Sequence, residues 1–187
     1  MSEFEFLFTL FGLVLGLSIA EVLGGFGKAV KARARLRIGW LTPLLGVLVM
    51  LDLTSFWTIA WSMRQTIPLN YLMLMLMLGF TAIYYVAASL VFPEEPDRCR
   101  DFDDHYWANK RLVLGAMFVL NAPTYALDWV WLRERSSSIT FTTALTTCFL
   151  ILLVAAMFAK GGRLNLLLLG VIIALYPLGA YGGLASW

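Results

Sequence analysis

Charged residues and histidine are scarce in this 187-residue sequence. Charged residues make up 14% of it, and Lys and Arg outnumber Asp and Glu by only two. The resulting net charge of +2 is too small to predict nucleic-acid binding. His105 is the only histidine, which excludes bis-histidine haem ligation within one chain and argues against a histidine-based zinc site. The sequence therefore predicts no cofactor.

Cysteine patterns and catalytic motifs are also lacking. The two cysteines, Cys99 and Cys148, form no disulfide or metal-binding pattern and are expected to be free thiols. No segment matches a nucleophile elbow, a P-loop or a dinucleotide-binding fingerprint. A non-enzyme is therefore favoured. A lipid-modifying membrane enzyme that uses Glu21, Asp52 or the residues 101–105 stays an open alternative.

Hydrophobic residues, in contrast, make up 60% of the chain and give a mean hydropathy of +0.79. They form six blocks, and each is long enough to cross a bilayer, because about 20 residues of helix span a hydrocarbon core of about 30 Å. The sequence predicts an all-α polytopic membrane protein whose single domain, residues 1–187, is a bundle of six transmembrane helices. A polar link over 93–110 joins the third and fourth helices. The predicted helices cover about 6–27, 40–63, 69–92, 111–132, 139–159 and 164–186.

The basic residues are distributed unevenly between the links. Eleven of the fourteen Lys and Arg residues fall in three alternate links, 28–39, 93–111 and 160–163. Because basic links favour the cytoplasmic side, both termini are expected on the non-cytoplasmic side of a bacterial-type inner membrane. The first block lacks a basic region before it and is expected to be a retained helix, not a signal peptide.

Four costly side chains fall inside the predicted helices, at ~10 Å (Glu21), ~15 Å (Asn121), ~18 Å (Asp52) and ~26 Å (Asp128) from the cytoplasmic ends. Ionisable groups within a membrane are functional candidates, because they cost free energy unless paired or hydrated. A desolvated carboxyl group also exchanges protons nearer to neutral pH. These four residues, with Ser55 on the same helix face as Asp52, are predicted to bind a small cation or proton. The alternative is that Glu21 and Asp128 pair with nearby basic residues.

Helix 1 carries a small residue at every fourth position: Gly12, Gly16, Ala20 and Gly24. Such a stripe lets another membrane helix approach closely. The partner helix is expected either from the same chain or from a second subunit.

The first link carries basic residues that are predicted to bind anionic lipid headgroups: Lys28, Lys31, Arg33, Arg35 and Arg37. The longer link holds Asp101, Asp103, Asp104 and His105, which are weak candidates for binding a divalent metal. The alternative for these acids is an interaction with the positive end of a helix dipole.

The preferred function at this point is conduction or transport of a small cation or proton by a homo-oligomer. The alternative is a non-catalytic subunit, scaffold or sensor of a larger membrane assembly. Membrane lipids, copies of the chain or a larger membrane complex are the expected partners, and nucleic acid is not. A transport site predicts that Asp52 faces a hydrated cavity, whereas a scaffold predicts that Asp52 is hydrogen-bonded internally.

Overall fold

The computed structural model describes residues 3–36, 38–62, 70–95, 101–132 and 138–184, with side chains at 8–36, 38–61, 70–95, 101–123, 125–126 and 143–180. Six α-helices account for most of these residues, so the prediction of an all-α chain is confirmed. The helices are α1 Glu3–Ala32, α2 Leu41–Ser62, α3 Tyr71–Ser89, α4 Phe102–Leu132, α5 Ser138–Phe158 and α6 Gly162–Leu184.

Among the residues with described side chains, four helical stretches are long and apolar enough to cross a membrane: Phe8–Ala32, Leu41–Trp61, Tyr71–Ser89 and Gly162–Ala180. The described part of α5, Thr143–Phe158, is apolar but shorter. By length and composition, these helices support a multi-pass membrane protein.

Two helices extend beyond the apolar blocks. Helix α4 begins at Phe102, nine residues before the predicted start at 111, and α1 continues five residues past the predicted end at 27. The added turns are polar, and α4 begins with Asp103 and Asp104 in its first turn, where carboxylates interact favourably with the helix dipole. Hydropathy marks only the apolar part of each helix, so these ends could not be located from it.

The chain divides into two compact units, Met1–Asn109 and Lys110–Trp187. This division does not test the single domain predicted over 1–187, which stays a prediction.

In the first unit, α1 packs mainly against α3 and also against α2. One face of α1 is buried, and its residues alternate in steps of four and three along the helix. This heptad spacing is typical of helices that cross at about 20° with interlocking side chains. The buried residues are Phe11, Leu15, Ser18, Val22, Gly25 and Ala29.

A phenylalanine fills the space between α1 and α2. Phe92 follows α3 and its ring lies 4.8 Å from that of Phe26, measured between centroids. A Cβ atom at Gly25 would overlap the Phe92 ring, and one at Gly46 would lie 3.0 Å from it. Both glycines therefore provide the room that this aromatic side chain occupies.

In the second unit, α5 packs against α6. Leu153 and Ala156 of α5 and Leu169 and Ile172 of α6 are fully buried. These apolar contacts form the core of the unit.

Candidate functional site

The candidate site centres on Asp52, which lies in α2 and is 1% exposed. The phenol of Tyr84 on α3 is also fully buried and donates a hydrogen bond to the Asp52 carboxyl, with Oη 3.0 Å from Oδ2. A buried carboxyl group is costly without such a donor. The pair therefore joins α2 to α3 through a polar contact in a largely apolar interior.

The hydroxyl side chains near Asp52 on α2 form hydrogen bonds within their own helix. Ser55 Oγ donates to the backbone oxygen of Asp52 at 2.8 Å, and Thr54 and Thr58 donate to carbonyls one turn earlier. In this way hydroxyl groups satisfy their hydrogen-bonding needs in a membrane helix without facing water. Within the described part of the chain, every buried side-chain nitrogen or oxygen has a partner.

Aromatic rings surround the Asp52–Tyr84 pair on one side. The Phe56 ring lies 5.5 Å from that of Tyr84 and 4.7 Å from that of Phe80, between centroids. Asp52 does not line the crevice that the described residues form nearby in the same unit. This crevice lies between α1 and α3 and is lined by Leu10, Phe11, Leu74, Met77, Leu78 and Thr81. Asp52 thus has an internally hydrogen-bonded carboxyl group and does not line this crevice.

Glu21 has a different environment. Its side chain is exposed on α1, near the midpoint of the apolar stretch Phe8–Ala32. It has no hydrogen bond or ion pair with any described residue. The residues Gly16, Ala20 and Gly24 are exposed beside it, and a Cβ atom at either glycine would have no described neighbour within 4 Å.

Gly12, the first residue of the predicted small-residue stripe, differs from the other three. A Cβ atom there would lie 2.6 Å from the ring of Trp57, so this glycine is covered by α2. The packing of α1 inside its own unit therefore leaves the rest of the stripe uncovered.

The other two predicted ion-binding residues, Asn121 and Asp128, belong to the second unit. Asn121 in α4 donates to the carbonyl of Met117 at 2.8 Å, one turn earlier in its own helix. Asp128 lies in α4, and its side chain is outside the described residues. Of the five predicted ion-binding residues, the structure brings together Asp52 and Ser55.

Asp103, an acidic residue of the polar link, caps the N-terminus of α2. Asp103 Oδ1 accepts a hydrogen bond from the backbone N–H of Leu41, the first residue of α2, at 3.2 Å. Thr42 Oγ1 donates to the carbonyl of Phe102 at 2.6 Å. A carboxylate at a helix N-terminus is stabilising. Gly39 is needed beside it, because a Cβ atom there would overlap the Asp103 carboxyl group.

His105 and Tyr106, near the start of α4, also interact with neighbouring groups of the same unit. His105 Nε2 lies 3.0 Å from the carbonyl oxygen of Leu90, just after α3 ends. Burial, and then the charge of Asp103, raise the pKa of the Tyr106 phenol well above its ordinary value. Among the residues that the structure describes, no three potential metal ligands of the His, Cys, Asp or Glu types come together.

Sequence reasoning gave no role to Lys110, which is 4% exposed in the second unit. Its ammonium donates to the carbonyl of Ala156 at 3.0 Å, to Asn165 Oδ1 at 3.1 Å and to the carbonyl of Ala159. Asn165 on α6 donates in turn to the carbonyl of Ala159 at 3.0 Å. Lys110 therefore caps the C-terminus of α5 by donating to oxygens that have no partner within the helix. In the sequence, Lys110 stands just before the fourth apolar block, and this position does not indicate a contact 49 residues away.

Comparison with known protein families, curated proteins and solved structures finds no match.

Proposed function

We propose that the chain is a non-catalytic membrane subunit that binds another membrane protein through one face of α1. We call this face the docking face and define it by Gly16, Ala20, Glu21 and Gly24. The proposed partner is a transmembrane helix that presents a cation or a hydrogen-bond donor to Glu21.

The exposed carboxyl group of Glu21 is the observation that carries the proposal. Phe8–Ala32 is long and apolar enough to span a membrane, and Glu21 lies near its midpoint. A carboxyl group at that depth costs about 2.5–3.5 kcal/mol on insertion scales. No described residue of this chain pairs with it. A partner helix that supplies a donor or a cation would remove this cost.

The shape of the docking face supports a helix as the partner. Gly16 and Gly24 leave open space where side chains would otherwise stand. Small residues at every fourth position allow two helix backbones to approach closely, which is how membrane helices associate when hydrophobicity gives no preference. The heptad face of α1, in contrast, is already used inside the first unit.

The internal hydrogen bond of Asp52 also favours a subunit over a pore. Tyr84 donates to this carboxyl group, and both side chains are almost fully buried. A conducting site needs a carboxyl group that water or an ion can reach.

Replacing Gly24 with leucine tests the docking face. We expect Gly24→Leu to weaken partner association at least about tenfold, equivalent to about 1.4 kcal/mol, because the new side chain keeps the helices apart. Glu21→Leu is expected to weaken it as well, and Glu21→Gln less, since the amide still forms hydrogen bonds. The measurement is the mass of the complex purified in mild detergent from the native membrane, compared with 21.0 kDa for one chain.

Gly79→Leu is the matched control, because Gly79 lies on α3 and is also exposed with no described neighbour within 4 Å of its Cβ position. It should leave the mass unchanged. A complex that survives both Gly24→Leu and Glu21→Leu would contradict the proposal. A complex made only of copies of this chain would show that the partner is a second copy of the chain and not a different protein.

The second candidate function is proton or small-cation transport by a homo-oligomer, with the Asp52–Tyr84 pair as the proton-exchanging site. A carboxyl group hydrogen-bonded to a phenol can take up and release a proton inside the membrane. We then expect proton flux into liposomes that contain the purified protein, and at least about a tenfold loss of flux in Asp52→Asn, because an amide does not exchange a proton. Thr54→Ala on the exposed side of α2 is the control. Absence of flux in the unmodified protein would contradict this candidate.

A further inference from the structure

Exposed basic residues follow one another at the end of α1. Because α1 continues to Ala32, Lys28 and Lys31 lie one turn apart on the same side of the helix. A turn comes next, closed by hydrogen bonds from the backbone N–H groups of Arg35 and Leu36 to the carbonyl of Ala32. Arg33 and Arg35 are exposed in this turn.

These cations have no carboxylate partner among the described residues. Lys28 donates to a backbone carbonyl, that of Glu94, at 3.4 Å. The side chains of Lys31, Arg33 and Arg35 make no described hydrogen bond or ion pair. No described carboxylate neutralises these charges, which leaves them for an anionic ligand.

The location of the cluster indicates which anion. It begins in the last turns of the stretch Phe8–Ala32 and continues into the link before Leu41–Trp61, so it lies where the chain leaves one candidate span and enters the next. Trp40 is 74% exposed at the same place, and tryptophan prefers the headgroup region of a bilayer. A polar patch held at that depth meets lipid headgroups before any soluble anion.

We propose that Lys31, Arg33 and Arg35, with Trp40, bind the phosphate of an anionic phospholipid. The guanidinium groups match a phosphate with two parallel hydrogen bonds, and lysine adds a point charge. On the membrane side of the cations, α1 exposes Leu23, Gly27 and Val30, an apolar surface for the acyl chain of the same lipid. Arg37, predicted from the sequence to belong to the same cluster, lies outside the described residues.

The test compares lipid retention by native mass spectrometry of the detergent-solubilised full chain. The protein is incubated with phosphatidylglycerol or with phosphatidylcholine of the same acyl composition. We expect about tenfold or greater preference for phosphatidylglycerol, and loss of this preference in the triple variant Lys31→Gln, Arg33→Gln and Arg35→Gln. Excess inorganic phosphate should not displace the lipid, because the acyl chain contributes to its binding.

Two further variants serve as controls. Lys160→Gln with Arg163→Gln removes two exposed cations elsewhere in the chain and should keep the preference. Arg33→Lys with Arg35→Lys keeps the charge and should retain most of it, which separates lost binding from lost folding. Equal retention of both lipids by the unmodified protein, or an undiminished preference in the triple variant, would overturn the proposal. Displacement by inorganic phosphate alone would assign the site to a soluble anion instead.

Discussion

Lys110→Met is expected to destabilise the second unit by about 3 kcal/mol, because it removes an ammonium that serves three oxygens at once. Methionine keeps the length and apolar stem of the side chain, so packing changes little. The substitution leaves two buried acceptors at the C-terminal end of α5, the Ala156 carbonyl and Asn165 Oδ1, without their charged donor. The measurement is the free energy of unfolding in mixed micelles titrated with a denaturing detergent.

Lys160→Met provides the control for this prediction. Lys160 is exposed and belongs to the same unit, so the identical substitution should change the free energy of unfolding by less than about 0.5 kcal/mol. Equal effects of the two substitutions would show that the cap on α5 contributes no stability.

The same pair of variants supplies a pH readout. Burial, and then the neighbouring charge of Arg111, lower the pKa of the Lys110 ammonium from its ordinary 10.5. The unfolded chain therefore binds this proton more tightly than the folded chain does. Stability should rise with pH from the lowered pKa up to 10.5, and the Lys110 contribution to this rise should vanish in Lys110→Met.

Gly25→Ala is the second substitution for which we expect a large effect, a loss of about 1–3 kcal/mol of stability. The added methyl group would overlap the ring of Phe92, which is itself held between α1 and α2. Unfolding of the purified protein in the same micelle titration measures the change. Such a loss is unusual, because alanine ordinarily favours a helix over glycine by up to about 1 kcal/mol.

The adjacent glycine makes the comparison direct. A Cβ atom at Gly24 would have no described neighbour within 4 Å, so Gly24→Ala should be neutral or slightly stabilising in the purified chain. Phe92→Leu, introduced together with Gly25→Ala, should recover part of the loss, because the smaller side chain clears the methyl group. If Gly24→Ala and Gly25→Ala behave alike, the close contact with Phe92 is not a determinant of stability.

The helices themselves could be predicted because bilayer-length apolar runs leave few alternatives. Five of the six observed helices begin within three residues of the predicted starts, and α4 is the exception. Its first turns contain Asp103, Asp104 and Lys110, which lower the hydropathy without preventing a helix. A polar helix extension depends on capping and tertiary contacts, and hydropathy contains no information about either.

The site could be predicted only in part. Asp52 was singled out because a carboxyl group in an apolar run is costly, but Tyr84, 32 residues away, was not. Its pairing with Asp52 depends on how far α2 is shifted and rotated against α3, which no local pattern determines. The same holds for Lys110 and Asn165, separated by 55 residues. The buried face of α1 could not be predicted either, because the small residues four apart and the heptad residues both form regular stripes along an apolar helix.

The cap on α2 has a consequence for synthesis in the cell. The backbone N–H of Leu41 is satisfied by Asp103, which lies 62 residues later in the chain. At about 5–20 residues per second, the ribosome takes about 3–12 s to add that stretch. During this interval a newly inserted α2 has an incomplete first turn. A ribosome that pauses before residue 103 prolongs the interval, and quality-control proteases then have more time to reach the nascent chain.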